Sequence, residues 1–268
     1  MIAKKRLGQN FLRDQAVVLK IISSLNLKNE EILLEIGCGR GALTQQLMGT
    51  TSQFIGVELD RELWIELKKQ FQDRTVLFLN QDILTLQLKD LLLELGREGT
   101  LIKIVGNIPY YISSPLVLWL TQQVECVNSA TIMFQWELGE RLLAKPGTKE
   151  YGLLSLLGQY YFQVSPLFSV KAGAFWPRPK VDSQVIKFTP LEKRILPREK
   201  EQAFFQFLRS CFSQRRKTLV NALKPTSIQG ERLDRAMTVL GLPRNTRAED
   251  LSLQLLSALF AKLEGERL

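Results

Sequence analysis

Asn107-Ile108-Pro109-Tyr110 places a neutral carboxamide, main-chain carbonyls and a phenol within four residues. The Asn107 oxygen and the carbonyl of Ile108 or Pro109 are acceptors that can point the same way, and Tyr110 offers a flat face for stacking. This set suits the exocyclic amine of a nucleobase, whose two N–H groups want two acceptors. Accepting both hydrogen bonds draws the nitrogen lone pair out of ring conjugation and aims it at an electrophile. Taken alone, Asn-x-Pro-Tyr is also an ordinary strand-ending turn.

Three further stretches carry ligand-like chemistry. Gly37-Cys38-Gly39-Arg40-Gly41 follows the short apolar run Ile32–Ile36 and precedes a helix predicted over 42–48. A strand, a glycine turn and a helix let backbone N–H groups approach a cofactor closely. With Ala42 the pattern also satisfies the dinucleotide fingerprint. Glu58 stands 21 residues after Gly37, where an acid accepts hydrogen bonds from ribose hydroxyls. Asp82 follows the apolar run 76–79 and can accept the amino group of a bound adenine. The chain has no histidine, which removes serine-histidine hydrolases, histidine general bases and histidine-ligated zinc deaminases.

The elements needed to position these residues are legible as alternating strands and helices. Ile104 and Val105 fit a covered strand, and Pro109 forces the chain out of the sheet. Strands are predicted at 32–36, 54–57, 76–79, 104–106, 130–134 and 185–188, with 107–111 on a loop after the fourth. Helices are predicted at 14–26, 61–71, 84–95, 115–124 and 137–143. The aromatics of Gln159-Tyr160-Tyr161-Phe162 read as strand core. This is the pattern of a doubly wound α/β domain, in which ligands bind at the carboxyl ends of the strands. The domain spans 1–189, and a proline-bounded charged linker ends at Pro197. Phe204, Phe207, Leu208, Cys211 and Phe212 then recur at helical spacing, with the basic run Arg215-Arg216-Lys217 extending that helix towards Pro225. Further helices at 231–240 and 251–263 make 198–268 a small helical domain.

Hydrophobic residues are 45% of the 268 and charged residues 24%, the balance of a globular protein with a sizeable core. Cys38, Cys126 and Cys211 show no paired spacing, so neither disulfides nor a zinc site is expected, and a reducing cytoplasm is the expected location. No apolar run spans a bilayer, and Met1–Leu12 lacks the apolar core of a signal peptide. That start is basic and acid-free, as in a transit peptide, but short and without serine enrichment. The net charge is +9, with 16 Lys and Arg against 9 Asp and Glu in 186–268 and 20 against 18 in the remainder. A concentrated surplus points to a polyanion, nucleic acid first. Lys4-Lys5-Arg6 opens a basic arm that can fold over a site. Phe175-Trp176-Pro177-Arg178-Pro179-Lys180 is a stiff loop that can stack a base beside a phosphate, or a purely structural loop with a buried Phe.

The order of these motifs resembles the KsgA-type small-subunit ribosomal RNA adenine N6,N6-dimethyltransferases from Lys5 to about Leu259. The resemblance is carried by Gln9-Asn10-Phe11-Leu12, Glu35-Ile36-Gly37-Cys38-Gly39-Arg40-Gly41, Glu58, Asp82, Asn107-Ile108-Pro109-Tyr110, Tyr160-Tyr161, Phe175 with Pro179-Lys180-Val181-Asp182-Ser183, and Arg215-Arg216-Lys217. It implies a Rossmann-like fold and S-adenosylmethionine bound by Asn10, Leu12, Gly37, Glu58, Asp82 and Asn107. It further implies that Asn107 and the Pro109 carbonyl hold the target N6 while Tyr110 and Phe175 stack the adenine. The implied substrate is a pair of adjacent adenosines in the 3′-terminal hairpin of 16S rRNA on an immature subunit, each methylated twice without a metal by a monomeric enzyme. RNA contacts are expected at Lys4, Lys5, Arg6, Lys180, Arg215, Arg216 and Lys217.

Two positions depart from that family's pattern. Cys38 replaces a usual proline, which would loosen the glycine loop, and Trp136 replaces a usual lysine. Competing readings are a macrolide-resistance-type large-subunit rRNA methyltransferase, a binding-only assembly or transcription factor, and a nicotinamide oxidoreductase. The last leaves Asn107 to Tyr110 without a task.

Overall fold

The computed structural model describes residues 9–51, 53–72, 76–214, 217–226, 228 and 230–265. The chain divides into two compact units, one running to Gly139 and resuming over Phe162–Pro190, the other formed by Glu140–Tyr161 and Leu191 onwards.

The first unit opens with β1 (Phe11–Leu12) and α1 (Gln15–Leu25). Asp14 starts α1 by accepting the Ala16 and Val17 N–H groups, and Asn26 ends it in the left-handed conformation. Then β2 (Ile32–Ile36), α2 (Thr44–Leu47), β3 (Gln53–Val57), α3 (Arg61–Gln70), β4 (Leu77–Leu79), α4 (Leu88–Glu94), β5 (Ile102–Asn107), α5 (Ser113–Gln122) and β6 (Val127–Gln135) alternate. After α6 (Trp136–Leu143) and α7 (Leu153–Tyr161) come β7 (Phe162–Val170), β8 (Phe175–Trp176) and β9 (Ser183–Pro190). The seven-stranded sheet has the order β4-β3-β2-β5-β6-β9-β7. Strands β2 to β6 run parallel, while β9 and β7 are antiparallel additions. Each of Ile32–Ile36 is buried, as is every residue of β5 up to Gly106. Such continuously buried strands, apolar apart from Glu35 and Lys103, are what a sheet covered on both faces requires. The strand order reverses between β2 and β5, so their carboxyl ends flank the crevice of a doubly wound fold.

The second unit is helical, with α8 (Arg198–Cys211), α9 (Leu219–Leu223), α10 (Glu231–Val239) and α11 (Leu253–Gly265). Its core gathers Leu156, Tyr160, Phe204, Leu208, Leu219, Leu256 and Phe260.

Four sequence expectations are corrected. Residues 159–161 are helical, because Leu156 and Tyr160, one turn apart, both enter the helical core, with the Tyr160 and Phe204 rings 5.7 Å apart. For the same reason 140–161 groups with the helical unit rather than with 1–189. Helix α8 stops at Cys211 instead of running on through the basic stretch. Thr218 is extended (φ −64°, ψ 158°) and caps α9 by accepting the Asn221 N–H, a backbone state that no continuing helix allows. Finally, 84–95 is no single helix. A 3₁₀ turn at Ile83–Thr85 is separated from α4 by Leu86 and Gln87. The Leu86 carbonyl accepts from Trp119 Nε1 at 2.8 Å, and the Leu88 N–H donates to Gln123 at 2.9 Å. Lys4, Lys5, Arg6, Arg215 and Arg216 lie outside the described residues.

Gly56 in the centre of β3 tests how tightly the sheet is packed. A Cβ there would stand 2.6 Å from the Phe78 ring and 2.8 Å from Cys38 Sγ. Gly56→Ala is expected to cost about 1–3 kcal/mol in urea unfolding. Gly173→Ala, where a Cβ meets nothing within 4 Å, should stay within about 0.5 kcal/mol.

Candidate active site

A cleft open to solvent lies at the carboxyl ends of β2, β3, β4 and β5, where a doubly wound sheet binds its ligands. Asn10, Leu12, Gly37, Glu58, Asp82, Asn107 and Pro109 all line it. These seven span almost a hundred positions in the sequence, and the parallel sheet brings them together.

The glycine turn follows β2. Gly37 (φ 70°) donates its N–H to Val57 O at 2.8 Å, and the Gly41 N–H closes on Cys38 O at 2.8 Å. A Cβ at Gly37 would meet Asn107 O at an ordinary 3.6 Å, whereas one at Gly39 (φ 56°) would stand 3.3 Å from the Phe11 ring. Positive φ explains glycine at both, with close approach adding to it at Gly39. Cys38 is buried with its thiol against the Glu35 and Val57 carbonyls. These contacts tie the loop back to the ends of β2 and β3, and burial holds the thiol pKa well above its usual value.

Glu58 at the end of β3 is 7% exposed. Burial pushes its pKa up, opposed by two backbone donors, Asp60 N–H to Oε1 and Gly39 N–H to Oε2, each at 2.8 Å. Those bonds fix the carboxylate at the cleft wall. Asp82 after β4 is half-buried and caps the following turn through the Leu84 N–H at 3.0 Å. Asn107 ends β5, and its Nδ2 donates to the Asn10 carbonyl at 3.2 Å. With the nitrogen so engaged, Oδ1 is the acceptor end of the amide. Tyr110 does not line the cleft. Its hydroxyl is 2.9 Å from Ser183 Oγ, and Tyr111, unremarked in the sequence, lines the cleft instead and is 55% exposed. Phe175 is 4% exposed, packed in the core with Leu12 as its antiparallel partner, and it too stands outside the cleft lining. Lys180 and Lys217 are exposed, and Lys180 is not part of the cleft lining.

Sequence reasoning missed Gln9, whose amide donates to Asp60 Oδ2 at 3.0 Å, and the β1–β8 pairing that joins Phe11–Leu12 to Phe175–Trp176. Two-residue strands so far apart in sequence leave no periodic signal.

The donor set suits a nucleoside cofactor bearing a positive charge. It offers carboxylates at Glu58 and Asp82, neutral acceptors at Asn107 and Pro109, and apolar walls at Leu12, Ile83 and Ile108. Among the described residues no cluster of three or more His, Cys, Asp or Glu could hold a metal ion, and no helix is long and apolar enough to cross a membrane. Fold and site define an S-adenosylmethionine-dependent methyltransferase of the Rossmann-like class. The ribosomal RNA adenine dimethylase family model matches residues 2–264, and the chain belongs to that family. A ribosomal RNA small subunit methyltransferase A from Geobacter metallireducens is 40% identical over 96% of this chain and 94% of its own. One of the same name from Nitrosococcus oceani is 39% identical over 94% and 92%. A crystal structure of a dimethyladenosine transferase from Plasmodium falciparum superposes with a TM-score of 0.77 at 25% identity, covering 95% of this chain and 98% of that one.

Glu35 lies behind the glycine turn, 1% exposed, accepting the Thr44 hydroxyl at 2.6 Å. Burial raises its pKa from 4.5 to about 7, with the nearby Glu58 charge adding to the rise and the Thr44 bond opposing it. A carboxyl raised in the folded state contributes stability that is full below its unfolded pKa near 4.5 and is lost as pH rises through the folded value. Glu35→Gln, which keeps an acceptor for Thr44, should therefore abolish a loss on the order of 3 kcal/mol between about pH 4.5 and 7. Urea unfolding of both proteins across that range is the measurement.

Proposed function

We propose that this protein dimethylates N6 of two adjacent adenosines in the 3′-terminal hairpin of 16S rRNA, acting as a monomer on an immature small subunit in the cytoplasm. The carrying observation is the Asn107 carboxamide at the cleft wall, its nitrogen engaged by Asn10 O and its oxygen thereby the acceptor end. Glu58 is assigned the ribose hydroxyls of the cofactor and Asp82 its adenine amino group. Gly37 allows close approach, Asn10 and Leu12 form the wall contributed by the arm, and Asn107 borders both ligands. When bound, S-adenosylmethionine supplies a sulfonium methyl group that the adenine N6 attacks in line.

Asn107 and the Pro109 carbonyl are assigned the two N–H groups of the target amine. Fixing that nitrogen is a positioning effect, worth up to ~7–11 kcal/mol in favourable cases. No strong base is needed, because alkylation acidifies the amine and its proton can pass to water. The adenine has to leave its stack, and Tyr110 offers a face that offsets ~1–3 kcal/mol of the cost. Phe175 is assigned the second face, and its burial requires the arm partner Leu12 to shift before a base can reach it. Lys4, Lys5, Arg6, Lys180, Arg215, Arg216 and Lys217 are assigned to RNA phosphates, with the helical unit contributing the last three.

Asn107→Ala is expected to abolish methyl transfer to 16S rRNA in immature subunits while S-adenosylmethionine still binds by calorimetry. Turnover at the parental rate would remove Asn107 from the chemistry. Replacing Arg215 and Arg216 together by Ala should weaken RNA binding and flatten the log–log salt slope by about 1.4–1.8. An unaltered slope returns both arginines to the solvent.

A further inference from the structure

Resting on the assignment of Glu58 and Asp82 to the cofactor, we propose that Tyr111 closes the cleft over the adenosine part of S-adenosylmethionine, with its ring against the base. A singly exposed aromatic side chain needs no explanation in a folded protein. Tyr111 differs because, although 55% exposed, it lines the cleft itself. Burial of part of the side chain raises its pKa, and the charges of Asp82 and Glu58 add to the rise. The phenol therefore stands within electrostatic reach of both carboxylates, and it stays protonated at neutral pH.

The backbone accounts for that placement. In the sheet, β2 stands on one side of β5 with β3 and β4 beyond it, while β6 and β9 stand on the other. After Asn107 the chain enters the 3₁₀ turn Tyr110–Ile112, closed by the Ile112 N–H on the Pro109 carbonyl at 3.2 Å. Helix α5 then packs on the 3₁₀ turn that follows Asp82, and its Trp119 donates to the Leu86 carbonyl at 2.8 Å. The segment after β5 is thereby fastened to the end of β4. Two consecutive tyrosines part company here. The Tyr110 hydroxyl is 2.9 Å from Ser183 Oγ on β9, whereas Tyr111 faces the acids that follow β3 and β4.

The surroundings select the occupant. Leu59 and Ile83, next in sequence to the two acids, line the same cleft, so apolar side chains and an aromatic ring accompany carboxylates that accept hydrogen bonds. A purine nucleoside presents the matching chemistry, with flat apolar faces and N–H and O–H groups at its rim. The target adenine is served elsewhere, by the neutral acceptors at Asn107 and Pro109 and by the Tyr110 face. A tyrosine ring has two χ angles to order and supplies a large contact area for that cost.

The test titrates the full chain with S-adenosylmethionine and, separately, S-adenosylhomocysteine by calorimetry, with Asp82→Ala as the reference variant. Tyr111→Ala should raise both Kd values about tenfold, because the adenosine part is common to the two ligands, while Tyr111→Phe, which keeps the ring, stays within about twofold of the parent. At saturating S-adenosylmethionine the KM of Tyr111→Ala for immature small subunits should not move. If Asp82→Ala weakens both ligands and Tyr111→Ala weakens neither, the proposal fails while the cofactor reading of the cleft stands. It fails as well if Tyr111→Phe loses as much affinity as Tyr111→Ala, since the hydroxyl rather than the ring would then hold the ligand. A KM for subunits raised by Tyr111→Ala with both Kd values unchanged would turn the ring to the RNA and overturn it too. If Asp82→Ala binds both ligands as the parent does, the assignment of this end of the cleft to adenosine fails, and the role of Tyr111 with it.

Discussion

The apposition of β2 and β5 at the point where the strand order reverses is the constraint on which the site depends. Ile36 is in register with Gly106, and a Cβ on Gly106 would sit 3.0 Å from the Ile36 carbonyl oxygen. One step further along each strand, the same approach sets Gly37 against Asn107. The turn that admits a cofactor and the carboxamide assigned to the target amine are therefore neighbours because two buried backbones have no side chain between them. Parallel pairing extends the arrangement sideways, through Val57 and Leu79, to Glu58 and Asp82.

Charge complements this geometry. Glu35, Glu58 and Asp60 are all buried within a short span behind the cleft, an expensive cluster for a fold to maintain. It is tolerated because Glu58 takes two backbone N–H groups and Glu35 takes the Thr44 hydroxyl. The result is an acidic wall, fixed in place at Glu58, that suits the ribose hydroxyls of a nucleoside cofactor. The oxidoreductase reading of the glycine loop loses on family membership.

The parallel core was legible because its strands are short, apolar and closed by glycine, acid or proline, so each strand end announced a ligand position. Asp14 and Asn26 likewise marked both ends of α1. What the sequence concealed is tertiary in origin. Tyr160 and Tyr161 have good strand propensity, yet they are helical because Leu156 and Tyr160 find a core in Phe204 and Leu208. Good helical propensity after Cys211 did not reveal that α8 ends there, nor that Thr218 caps a new helix. Of the two readings of the Phe175 loop, the buried Phe holds, because of the β1–β8 pairing, which is invisible to local pattern.

That pairing explains why so short an arm matters. Within Gln9–Leu12, Gln9 holds Asp60 at the end of β3, the Asn10 carbonyl holds the Asn107 amide at the end of β5, Phe11 lies over Gly39 after β2, and Leu12 pairs with Phe175. Four consecutive residues thus touch the cofactor wall and the residues assigned to the target base. Backbone ordering costs ~1–2 kcal/mol per residue, so a ligand that adds contacts on either side of the arm stabilises the same ordered segment.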